Sequence, residues 1–143
     1  MLTNPMIPVE DMRIQALSSL EYANSYFRTF QHCLTNGKKR FNNDLLYDFA
    51  VLSLEKYFVA LLARYDWNAT HHMPLSLYKE AEMFEPEMPD SIKKTTILVG
   101  KFESICSLDG FGYHTPTSEE LQAMEPGILE IKQLVENRLA ELS

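Results

Sequence analysis

The chain has 143 residues, a formal charge of −7 and a pI near 5.0. Hydrophobic residues make up 45% and charged residues 23%, the balance of a folded globular chain and not of a disordered one. That length suits one domain whose core needs neither disulfide nor metal. The acidic charge excludes a broad, non-specific grip on nucleic acid, because such grips rest on phosphate neutralisation. The two cysteines, Cys33 and Cys106, fall in helical patterns, the usage of a reducing compartment. The opening residues MLTNPMIPVEDM lack a basic stretch followed by an apolar core, so no signal peptide or lipid anchor is expected, and the expected location is cytoplasmic.

The predicted fold is all-α, an up-and-down bundle of about five helices in a single domain over residues 1–143. Pro5 and Pro8 make residues 1–9 an extended lead-in. The first helix is predicted from about Glu10 to Thr35. Ala16, Leu20, Ala23, Phe27, Phe30 and Leu34 recur at steps of four and three, one face of a helix. Asn36-Gly37 stops it, and Lys38, Lys39 and Arg40 follow as a basic turn. Two readings of that turn stay open, solvated charge at a helix C-terminus or a phosphate contact.

The second helix is the organising element. From Leu45 to Ala63 the polar residues are few, and Leu45, Leu46, Phe49, Leu52, Tyr57, Phe58, Leu61 and Leu62 cover more than one side. A helix apolar nearly all round is buried among others. Asp48, Glu55 and Lys56 in its middle would be costly in lipid, so a membrane span is excluded. It ends at Arg64-Tyr65-Asp66-Trp67-Asn68, where Asp and Asn compete for the local backbone. The turn carries Trp67, His71 and His72, and Pro74 suits the first turn of a third helix reaching about Phe84. Six residues separate Arg64 from His71. The pair offers a cation and an imidazole at one end of the bundle. The ordinary alternative has Arg64 on the carbonyls of its own helix and the histidines capping the next.

Glu80, Glu82, Glu85, Glu87 and Asp90 are predicted to form an acidic patch, and Pro86 and Pro89 break the chain. A fourth helix is predicted from about Ser91 to Leu108, its inner face marked by Ile92, Thr96, Val99, Phe102 and Cys106. The loop that follows is rich in glycine and carries Phe111, Tyr113 and His114, which either fold back onto the domain or line a pocket. Thr117-Ser-Glu-Glu120 is a capping box that opens a last helix to about Leu142, with Pro126-Gly127 expected to kink or restart it.

Familiar catalytic signatures are missing from the sequence: there is no glycine-rich phosphate loop, C-x-x-C, H-E-x-x-H or G-x-S-x-G. No histidine has a glutamate three residues before it, as a di-iron bundle requires. No metal and no cofactor are expected.

The stretch LSLEKYFVALLARYDWNATHHMPLSLYKEA resembles HEPN domains, small all-α domains of prokaryotic nucleotidyltransferase partners, toxins and RNA-processing systems. The likeness lies in the Ala/Leu-rich helix with Glu55-Lys56, the short turn, Thr70-His71 and the leucine-containing third helix, and the helix order extends it over roughly residues 12–142. Many HEPN proteins are dimeric, metal-independent endoribonucleases in which an arginine and a nearby histidine meet the same pair from a second subunit. Histidine moves protons near neutral pH and arginine stabilises a pentacoordinate phosphate. In those members the motif sits late in the domain. Here no arginine lies between Arg64 and Arg138, so Arg64 and His71 at the central turn are the pair with suitable spacing. The resemblance therefore implies first a non-catalytic HEPN-like module in a toxin–antitoxin or nucleotidyltransferase-associated system. Such a module forms a homodimer and binds a partner protein, a nucleotide or RNA. The second reading is a divergent ribonuclease using Arg64 and His71, with His114 or Tyr113 assisting. The third is a structural bundle with no small ligand. Candidate ligand-binding residues are Trp67, His72, Phe111, Tyr113 and His114, and candidate phosphate contacts are Lys38, Lys39 and Arg40.

Overall fold

A computed structural model describes residues 9–36, 42–105 and 115–142. They form five helices: α1 Glu10–Asn36, α2 Asn43–Arg64, α3 Pro74–Glu82, α4 Asp90–Ile105 and α5 Ser118–Ala140. No strand occurs among the described residues. The all-α bundle expected from periodicity is what forms, and none of the described helices is long and apolar enough to cross a membrane.

α2 is the axis, packing on α1, α3, α4 and α5. Asn42 caps it, its side-chain oxygen accepting from the Leu45 amide at 2.9 Å. Burial on all sides is confined to its second half. Ala60 to Arg64 are consecutively buried, whereas Leu45 near the start is 38% exposed. Phe27 and Phe30 of α1, Tyr57 and Phe58 of α2, Phe102 of α4 and Met124 of α5 fill the centre. Burial pushes the Tyr57 phenol well above its ordinary range, the Glu136 charge adding to this and Arg28 opposing it. The phenol stays protonated and donates to Asn24 at 2.6 Å.

α2 ends in a Schellman motif. The Asp66 amide donates to the Ala63 carbonyl at 3.0 Å and the Trp67 amide to the Leu62 carbonyl at 3.1 Å. Asp66 takes the left-handed position, φ 60°, usually given to glycine. The helix stop expected from Asp66 and Asn68 is thus made by the backbone conformation of Asp66.

α5 starts at the predicted capping box: Thr117 Oγ1 accepts from the Glu120 amide at 3.1 Å, and the Glu120 carboxylate accepts from the Thr117 amide at 2.9 Å. The expected restart at Pro126-Gly127 does not occur. α5 is one helix across it, with Pro126 on its exposed side and Gly127 buried against α4. A Cβ at Gly127 would lie 1.9 Å from Thr95 Oγ1 and 2.9 Å from the Ser91 carbonyl. The glycine is there so that two helix backbones can approach.

Candidate functional site

Two carboxylates organise the region where α2 hands over to α3. The first is Glu80, buried on the inner side of α3. It accepts from Trp67 Nε1 at 3.1 Å, from the Thr70 amide at 3.1 and 3.2 Å, from Thr70 Oγ1 at 2.7 Å and from His71 Nδ1 at 3.1 Å. Burial alone would raise its pKa, but these hydrogen bonds from Trp67, Thr70 and His71 outweigh it and hold the carboxyl down at about 2. The turn from Trp67 to His71 is therefore wrapped around one anion. Between a carboxylate and the Thr70 hydroxyl, His71 Nδ1 must carry the proton. Nε2 is the ring nitrogen outside these contacts, on a side chain that is 54% exposed.

The second carboxylate is Glu85, just past α3. It takes the Tyr65 hydroxyl and a two-point contact from Arg138 of α5, Nε at 2.6 Å and Nη2 at 3.1 Å. Burial and the Glu85 hydrogen bond push the Tyr65 phenol up to about 12. Arg138 also reaches Glu141 at 3.4 Å. Arg64 belongs to this network: its guanidinium is 3.6 Å from Glu141 and lies over the Tyr65 ring at 4.9 Å, with 9% of its side chain exposed. Phe84 joins the two networks, stacked on Tyr65 at 5.1 Å and tilted against Trp67 at 5.6 Å.

Arg64 and His71 are thus held by different carboxylates. The alternative of helix capping also takes another form. Met73 is the N-cap of α3 and makes no side-chain cap, while His71 pairs with Glu80 and His72 with Glu55 at 3.4 Å. The expected acidic patch is only partly one, since Glu80 and Glu85 turn inward and are buried.

Beside the turn is an open pocket of about 420 Å³, lined by Trp67, Thr70, His71, Ser76, Lys79, Glu80 and Met83. The exposed Trp67 and Met83 give it an apolar wall, and Lys79 and His71 give it cationic or protonatable groups. His72 is not among the lining residues. Lys38, Lys39, Arg40, Phe111, Tyr113 and His114 lie outside the described residues. Among the described residues no group of three or more His, Cys, Asp or Glu side chains could hold a metal ion. The decisive members Glu80 and Glu85 were missed in the sequence. A signal for Glu80 was there: Leu77, Glu80 and Ala81 share one face of α3, so a glutamate interrupts an otherwise apolar stripe.

Comparison with known protein families, with curated proteins and with solved structures finds no match for the chain.

Proposed function

We propose that the chain is a non-catalytic, HEPN-like helical module that associates with a second copy of itself and binds a nucleotide, or a short single-stranded stretch of RNA, beside Trp67. The observation that carries this reading is the split between the two networks. A cleavage site needs guanidinium and imidazole on one phosphate. The Arg64 guanidinium is buried, 3.6 Å from Glu141 and over the Tyr65 ring, and its Nε finds no hydrogen-bond partner. The exposed indole of Trp67 offers a stacking face for a base, and Lys79 offers a donor to a phosphate in the same pocket. The charge of −7 favours a small or single-stranded ligand over a long duplex.

Metal-independent cleavage through Arg64 and His71 is the second reading. The buried Glu80 carboxylate against Nδ1 of an exposed imidazole supports it, since a general base is oriented in that way. The test is filter binding of a labelled single-stranded oligoribonucleotide in EDTA. The strand should be retained intact, and Trp67→Ala or Lys79→Glu should weaken retention about tenfold, the size of one lost base stack or phosphate contact. Retention indifferent to both substitutions contradicts the binding reading. A strand cut by the wild type and spared by His71→Ala establishes the second one.

A further inference from the structure

A second open, apolar groove lies between the start of α3 and the outer side of α4. It has a volume of about 410 Å³ and is lined by Met73, Pro74, Leu75, Thr96, Ile97, Gly100 and Lys101. Met73, Leu75 and Ile97 are 45%, 40% and 50% exposed. Gly100 widens the groove, since a Cβ placed there meets nothing within 4 Å. Along this groove α4 carries Lys93, Lys94 and Lys101, with Lys94 paired to Asp90 at 3.3 Å.

A complement to this surface exists on the same chain. The outer face of α1 exposes Ile14 at 58%, Leu17 at 56% and Tyr22 at 57%. Glu10, Asp11 and Glu21 flank them and are exposed. Ile14 and Leu17 stand at i and i+3 on one helix face, two apolar anchors one turn apart, and Glu21 follows them on the same face. We infer that α1 of one copy docks in the α3–α4 groove of the next, its apolar side chains on Met73, Leu75 and Ile97 and its acids against Lys93 and Lys101. This inference rests on the self-association proposed above and names its surfaces. Copies at −7 repel one another at long range, so a contact between the acidic and the basic stretch is the one that electrostatics favours. The two faces are unlike, so each contact leaves a free groove at one end and a free α1 at the other. Assemblies then grow until the rotation closes a ring.

The test is sedimentation velocity of the full chain over a range of concentrations, with two variants. Gly100→Leu fills the groove from a position with open space around it, and Ile14→Lys removes an exposed anchor and adds a positive charge to the acidic face. Circular dichroism confirms that both remain helical, and Ile97→Glu replaces Gly100→Leu should that variant unfold. The wild type should self-associate, and each variant alone should associate at least about tenfold more weakly. The equimolar mixture should form a heterodimer and stop there, because one intact groove meets one intact α1. A wild type that is monomeric throughout overturns both this inference and the self-association reading. A wild-type dimer that persists in both variants, or two monomeric variants that do not complement each other, overturns this interface and leaves self-association standing.

Discussion

Trp67 at the exit of α2 and Glu80 in the middle of α3 are joined by an indole N–H donated to a buried carboxylate at 3.1 Å. The bond ties the one tryptophan of the chain to the residue that also gathers Thr70 and His71. The shape of the turn, and therefore of the pocket beside it, depends on that anion.

Glu80 should make the fold sensitive to acid. Its folded value of about 2 lies below the ordinary 4.5, so its contribution is complete above pH 4.5 and is lost as pH falls toward 2. The linked stability amounts to about 3 kcal/mol. Glu80→Gln should lower the melting temperature at pH 7 and flatten its decline between pH 5 and 2. Parallel declines in wild type and variant would show that the carboxylate is not held this way.

Two glycines on packed helices should answer the same substitution with opposite signs. Gly127→Ala forces a methyl into Thr95 and the Ser91 carbonyl, and should destabilise by about 1–3 kcal/mol. Gly100→Ala meets open space and should stabilise by up to about 1 kcal/mol through helix propensity. Chemical denaturation of both variants measures the pair.

The Arg138–Glu85 contact joins α5 to the end of α3. Removing one partner leaves the other inadequately satisfied, so Glu85→Ala should cost about 2–3 kcal/mol. A double-mutant cycle with Arg138→Ala should return a coupling of at least about 1 kcal/mol. Additive losses would mean that the two-point contact contributes nothing of its own.

Asp66 in the left-handed position offers a stabilising change. Asp66→Gly keeps the Schellman bonds and removes a Cβ from a conformation that costs it energy. The melting temperature should rise by a few degrees, about 0.5–1 kcal/mol for a chain of this size. A fall would mean that the Asp66 side chain holds the turn.

The bundle was legible because apolar periodicity reports burial directly. Ala16, Ala23, Phe27 and Phe30 of α1 are buried as spaced, and Thr117 with Glu120 caps α5 as read. The continuity of α5 was hidden because a proline on the solvent side and a glycine at a helix crossing look in sequence like a break. The candidate site was half legible. Trp67 and His71 belong to the pocket, but the sequence gives a glutamate no sign of facing inward until its stripe is counted, and partners such as Arg138 come from more than fifty residues away. Arg64 and His71 were paired by their closeness in the chain; within one copy Arg64 pairs with Glu141 and His71 with Glu80.

The central claim is that the turn around Glu80 is a place for binding, and the single tryptophan reports on it directly. Emission from Trp67 should be titrated with a short oligoribonucleotide in EDTA, and the strand recovered afterwards. Saturable quenching that weakens in Lys79→Glu, with the RNA recovered at full length, is the predicted result. Emission that does not respond at any concentration, or RNA recovered in pieces, would contradict it.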